Sequence, residues 1–122
     1  PPAGGSRRGA TKGLGQVPLP IRHGEGKIFT TDDEVLARIE SLKCVPCRYV
    51  DAAGQPTQVY PDNPNGSLNA IAGLCDPTGR VFGLMPHPER VFRNIQMSWT
   101  DQSRDQHSPW MQLWHNARRW VD

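Results

Sequence analysis

Residues 70–90 read Ala-Ile-Ala-Gly-Leu-Cys-Asp-Pro-Thr-Gly-Arg-Val-Phe-Gly-Leu-Met-Pro-His-Pro-Glu-Arg. Two apolar runs, Ala70 to Cys75 and Arg80 to Met85, flank Asp76-Pro77-Thr78-Gly79. Asp in the first place, Pro in the second and Gly in the fourth suit a type I turn. The spacing therefore predicts a hairpin. Just past its second strand stand Pro86, His87, Pro88 and Glu89. Pro88 turns His87 away from the helical region towards extended backbone. Residues i and i+2 of extended chain point to one face. Glu89 is thus expected beside His87, where a third group orients the base of a nucleophilic triad. Loops at strand ends, held by a rigid scaffold, often carry such groups.

Outward from this stretch, the chain alternates short apolar segments with turns. Residues 1–16 hold Gly, Arg and Ser without a hydrophobic period and read as a disordered or loop segment. Residues 17–122 read as one folded portion. Lys27 to Thr30 suits a short strand. Thr31 and Glu34 have capping-box spacing, and Val35, Leu36, Ile39 and Leu42 follow at helical spacing, which predicts a helix over about 32–42. Residues 45–50 and 57–60 are strand-like, with 51–56 as a connecting turn, so a second antiparallel hairpin is expected. Residues 61–67, Pro-Asp-Asn-Pro-Asn-Gly-Ser, are turn formers. Ser108 and Pro109 suit the N-cap and first position of a C-terminal helix. Trp110, Leu113, Trp114, Ala117, Trp120 and Val121 then form an apolar stripe, read as core packing.

The bulk numbers narrow the function. With 122 residues there is chain for one modest domain. The net charge of +2 leaves no footprint for nucleic acid. No apolar run reaches the length of a membrane span. Twelve glycines and twelve prolines imply many turns. Cys44, Cys47 and Cys75 are an odd count, which argues against a disulfide scaffold and fits a reducing, cytoplasmic setting. Cys44-Val45-Pro46-Cys47 is formally a C-x-x-C. A zinc centre needs a second close pair of ligands, and the sequence shows none, so strand cysteines are the better reading and no metal ligand is assigned. His107 and His115 lack partners at ligand spacing and read as structural.

Three stretches taken together are more specific than any one. They are Leu19-Pro20-Ile21-Arg22-His23-Gly24-Glu25-Gly26, Tyr60-Pro61-Asp62-Asn63-Pro64-Asn65-Gly66-Ser67 and Gly83 to Arg90. In this order and spacing they resemble the glutaminase domain of the phosphoribosylformylglycinamidine synthases, most closely the large single-chain form. Arg48-Tyr49-Val50-Asp51 and the segment from Ser108 to Arg118 are similar to it as well. The resemblance covers residues 17–122.

That family is a class I, or triad, glutamine amidotransferase. The resemblance implies an α/β fold, part of an open flavodoxin-like sheet, with antiparallel hairpins and a C-terminal helix. It implies glutamine as substrate and a Cys-His-Glu triad. His87 falls on the base and Glu89 on its orienter. Arg22, His23 and Gly24 fall on the segment whose backbone helps hold glutamine, although His23 also reads as a turn cap and Gly24 as a tight-turn residue. Ammonia would pass to a synthetase domain, where ATP and Mg2+ serve the ligase reaction; no cofactor is assigned to these 122 residues.

The departure from the family is the nucleophile elbow, a Gly-x-Cys-x-Gly-like turn upstream of the HGEG segment. None of the three cysteines has glycines on both sides. The chain is therefore read as the C-terminal part of a glutaminase domain, inactive in isolation. Two other readings stand beside it: an amidotransferase-like interaction module without catalysis, and a metal-binding domain using Cys44, Cys47 and a histidine.

Overall fold

The computed structural model describes residues 11–19, 21, 24, 26–101 and 103–122. Those within His23–Met85 form one compact unit, and those within Gly9–Arg22 and Pro86–Asp122 form another.

The first unit is built on a three-stranded antiparallel sheet in the order β1 (Cys47–Arg48), β2 (Ile71–Cys75), β3 (Phe82–Leu84). The hairpin expected over 70–85 is present: Gly73 faces Leu84, Leu74 faces Gly83 and Cys75 faces Phe82. Its turn is organised by one carboxylate. The Gly79 amide donates to the Asp76 carbonyl at 3.0 Å. The Asp76 carboxylate accepts from the Thr78 amide and hydroxyl and from the amides of Arg80 and Val81. The Thr78 hydroxyl, followed by the Val81 amide, holds the Asp76 carboxyl down at about 2. A depressed carboxyl supports the fold above its ordinary range and loses that support as pH falls through the folded value. The turn is therefore expected to loosen between about pH 4 and pH 2. A carboxyl 13C titration of Asp76 should give a midpoint near 2; a midpoint at the ordinary aspartate value would remove this account of the turn.

Ile71 in β2 is fully buried, with Ala70, Ala72, Cys44 and Tyr49 buried around it. Gly73 is a glycine because its partner strand is too close for anything larger. A Cβ there would stand 2.9 Å from the Gly83 carbonyl oxygen and 3.0 Å from Leu84 Cδ1. Gly73→Ala should cost about 1–3 kcal/mol of stability, the usual range for overpacking. Gly83→Ala, which meets nothing within 4 Å, should cost less. Equal melting points for the two variants would contradict this.

The second hairpin closes only at its turn, where the Asp51 amide donates to the Gln55 carbonyl at 2.9 Å and the Thr57 amide to the Tyr49 carbonyl at 3.3 Å. Residues 57–60 form no strand. Val50 and Pro56 make a single bridge, and the partner of β1 is β2. The Tyr49 amide donates to the Ala70 carbonyl at 2.7 Å. Lys27 to Thr30 is likewise not a strand; the Ile28 amide donates instead to the Ser67 hydroxyl.

Helix α1 (Asp33–Ser41) starts one residue later than expected, because Asp32 rather than Thr31 is the cap. The Asp32 carboxylate takes the Glu34 amide at 2.7 Å, a charge-assisted bond stronger than a hydroxyl gives. Glu40 near the end of α1 meets the Arg48 guanidinium at 2.5 Å, and Arg48 also donates to the Asn69 carbonyl. The Arg48 bond holds the Glu40 carboxyl below its usual range. Helix and sheet are thereby tied through one side chain.

The second unit rests on helix α2 (Gln112–Val121), entered through a 3-10 turn, Pro109–Met111. Ser108 caps that turn as expected, accepting from the Trp110 amide. The stripe is only half as the sequence suggested. Trp110 and Leu113 are buried, and Asn116 is buried beside them, whereas Trp114, Trp120 and Val121 are exposed. Polar bonds secure the buried part. The Trp110 indole donates to the Pro18 carbonyl at 2.8 Å, and the Asn116 amide to the Lys12 carbonyl at 2.7 Å. The second bond draws the Thr11–Gly13 turn, inside the segment read as loop, against α2. The described residues thus combine helices with a three-stranded antiparallel sheet, the α/β class with a C-terminal helix that the sequence suggests.

Candidate active site

His87 and Glu89 lie three and five residues beyond the end of β3. The backbone that joins them differs from the extended run expected. His87 has φ −114° and ψ 81°, and Pro88–Arg90 close a single 3-10 turn behind it. Pro88 sits in the first position of that turn, where its missing amide proton costs nothing. The Arg90 amide then donates to the His87 carbonyl at 3.1 Å, and the Val91 amide to the Pro88 carbonyl at 3.1 Å. The tight turn, not strand alternation, brings the two side chains to one side.

Pro86 and Pro88 point inwards and are buried. The imidazole and the carboxylate between and after them stay at the surface, 42% and 56% exposed. Nδ1 of His87 is 2.7 Å from Oε1 of Glu89. The His87 bond, ahead of every other influence, holds the Glu89 carboxyl below its usual range. A carboxylate kept ionised is a strong acceptor for Nδ1–H. With Nδ1 so engaged, the lone pair of a neutral ring lies on Nε2. The arrangement can take a proton at Nε2 and return it, while Glu89 stabilises the imidazolium that forms.

Of the segment expected to hold glutamine, Gly24 is described. Arg22 and His23 lie outside the described residues. Gly24 is an exposed bend, and a Cβ at its position would meet nothing within 4 Å. Crowding of the backbone therefore does not explain why glycine stands there.

In sequence, Asn63 and Asn65 stand only among the turn formers of 61–67. Asn63 is buried and organises its loop. Its amide donates to the Thr57 and Ser67 carbonyls, and its oxygen accepts the Ser67 amide. Asn65 donates to the Gly26 carbonyl at 3.0 Å. Ser67, fully buried, accepts the Ile28 amide, and the Leu68 amide donates to the Ile28 carbonyl. The loop over 61–68 thus holds residues 26–28, directly after the Arg22–Gly24 segment. Bonds spanning 39 positions leave no local sequence signal.

The three cysteines are free thiols. Cys44 follows α1, Cys47 opens β1, and Cys75 closes β2 ahead of the hairpin turn. None stands between a strand and a helix, where a nucleophile elbow belongs. Among the described residues, no group of three or more His, Cys, Asp or Glu gathers that could hold a metal ion. The reading that joined Cys44 and Cys47 to a histidine therefore finds no support in this geometry. His107 and His115, which lack ligand spacing in sequence, approach to 6.3 Å between ring centroids. No helix of the described residues is long and apolar enough to cross a membrane.

A family model for the CobB/CobQ-like glutamine amidotransferase domain matches residues 6–121, nearly the whole chain and including both His87 and Glu89. Domains of that kind take glutamine as amide donor. The sheet and C-terminal helix, the surface His–Glu pair and this match converge, and the chain belongs to the CobB/CobQ-like glutamine amidotransferase family.

Proposed function

We propose that the chain is the histidine- and glutamate-bearing part of the glutaminase domain of a phosphoribosylformylglycinamidine synthase. It supplies ammonia for the ATP-dependent conversion of formylglycinamide ribonucleotide to its amidine in purine biosynthesis. The observation that carries the catalytic reading is the 2.7 Å contact of His87 Nδ1 with Glu89 Oε1 on a surface open to solvent. The resemblance of the segments at 19–26, 60–67 and 83–90 supports the choice of this synthase among the amidotransferases.

In this reading a cysteine outside these 122 residues is the nucleophile, since Cys44, Cys47 and Cys75 have neither the flanking glycines nor the strand-to-helix placement. Its sulfur attacks the side-chain amide carbon of glutamine. His87 takes the thiol proton at Nε2 and delivers it to the leaving nitrogen, so that ammonia departs and a glutamyl thioester remains. Water then adds with its proton passing to the same nitrogen, and glutamate leaves with the thiol restored. Glu89 keeps the ring in the tautomer both steps require. Arg22, His23 and Gly24 are proposed to line the glutamine site. ATP and Mg2+ belong to the synthetase domain, the proposed partner, and none of the residues described here is assigned to them.

The test is reconstitution. Combined with a cysteine-bearing amidotransferase portion and the synthetase domain, the chain should release ammonia from glutamine and support amidine formation with ATP and Mg2+. Ammonia release without the amidine would leave a glutaminase of another pathway. Neither activity in a folded assembly would leave an amidotransferase-like interaction module.

A further inference from the structure

The 3-10 turn that carries Glu89 is short, and a turn of three residues is a poor anchor by itself. Its support comes from the start of the C-terminal helix. Ser108 is buried, 3% exposed. Its hydroxyl donates to the carbonyl of Val91, the residue that ends the turn. Its amide donates to the carbonyl of Phe92 at 2.7 Å. Its hydroxyl oxygen also accepts the Trp110 amide at 3.2 Å, so the same atom caps the helical segment. Val91 is itself buried, 1% exposed, and its amide closes the turn on Pro88. Two of the backbone carbonyls directly after the Glu89 turn, those of Val91 and Phe92, are thus held by Ser108.

We propose that Ser108 is a positioning residue for the His87–Glu89 pair: through its hydroxyl bond to the Val91 carbonyl it sets the turn that places the carboxylate against Nδ1. The proposal rests on His87 and Glu89 acting as base and orienter, but its geometric content does not depend on which synthase the domain serves. The bonds of Ser108 run to the backbone of Val91, Phe92, Trp110 and Met111. A cap alone would need only an acceptor at this position. The arrangement on the page uses the donor as well, and the donor reaches back across seventeen positions to the turn.

Three substitutions separate the two uses of the hydroxyl. Ser108→Thr keeps donor and acceptor. Ser108→Asp keeps the cap acceptor, a preferred residue there, and loses the donor. Ser108→Ala loses both. The readouts are the downfield Nδ1 proton of His87 in the full chain by NMR and the carboxyl 13C titration midpoint of Glu89, alongside thermal melting. Ser108→Thr should keep the Nδ1 signal and the low Glu89 midpoint. Ser108→Asp and Ser108→Ala should lose the signal and return the midpoint towards the ordinary glutamate value, while the helix of Ser108→Asp persists. In the reconstituted glutaminase, kcat should fall about tenfold or more in the latter two with little change in KM, as expected when a reacting group is misplaced by an ångström or less. A retained Nδ1 signal in Ser108→Ala or Ser108→Asp overturns the proposal. So does its loss in Ser108→Thr. Failure of both donor-lacking variants to fold would make Ser108 a fold determinant rather than a positioning residue, and overturns it too. If the wild-type glutaminase is inactive but the Nδ1 signal responds as described, the catalytic reading fails while the positioning stands.

Discussion

His87→Ala is expected to abolish glutamine hydrolysis in the reconstituted enzyme. Without the imidazole, nothing on the turn takes the thiol proton or protonates the leaving nitrogen. Positioned acid–base groups contribute about 10²–10⁴-fold, and here one ring serves both proton transfers. A loss at the upper end of that range, or beyond detection, is expected in kcat. The side chain is 42% exposed, so its removal leaves no packed cavity. The melting point should stay close to wild type, which separates a chemical loss from an unfolding one. Undiminished ammonia release from the His87→Ala assembly would refute the role assigned to the residue.

Glu89→Gln is the second large effect. The amide keeps the shape but not the charge, and it can present its NH2 group to the ring. The tautomer with the proton on Nε2 is then favoured, and the lone pair turns away from the thiol. In triads, loss of the orienting carboxylate with geometry intact costs up to about 10⁴-fold. A smaller loss than that of His87→Ala is expected, because the ring remains and samples the productive tautomer part of the time. The depressed Glu89 carboxyl also carries a sign. Its charge persists into acid below the ordinary glutamate range, so orientation by Glu89 should not limit the rate as pH falls towards 5. A Glu89→Gln enzyme with wild-type kcat would show that the 2.7 Å contact plays no part in catalysis.

The portions of the fold legible in sequence are those decided within a few residues. Asp76, Pro77 and Gly79 dictate a turn by their own conformational preferences, and the strands on either side follow. Ser108 and Pro109 announce the start of a helical segment for the same local reason. The hairpin expected over 45–60 closes only at its turn, because strand-like composition does not say which strand is the neighbour. β1 finds its partner beyond residue 70, where Ala70 presents a carbonyl to Tyr49. The stripe of the C-terminal helix rests on period alone, and period cannot distinguish a covered face from an exposed one. Trp110 is buried and bonded to the Pro18 carbonyl; Trp114, edge-on to Phe92, and Trp120 remain exposed.

The candidate site divides in the same way. The pairing of His87 with Glu89 is legible because a proline on either side of His87 restricts its backbone, although the turn that follows is 3-10 rather than extended. The ties from Asn65 to Gly26 and from Ser67 to Ile28 were hidden, since each closes a span of 39 residues that composition does not advertise. The bond from Ser108 to Val91 was hidden behind an obvious local role, the helix cap.

The state of the His87 ring bears most directly on the whole account. Nitrogen-15 NMR of the folded chain, with imidazoles labelled and His87 assigned by its absence in His87→Ala, reports which nitrogen carries the proton when the ring is neutral. The account predicts a proton on Nδ1, bound to Glu89, and a bare Nε2. A neutral ring protonated at Nε2, with Nδ1 free of the carboxylate, would contradict it.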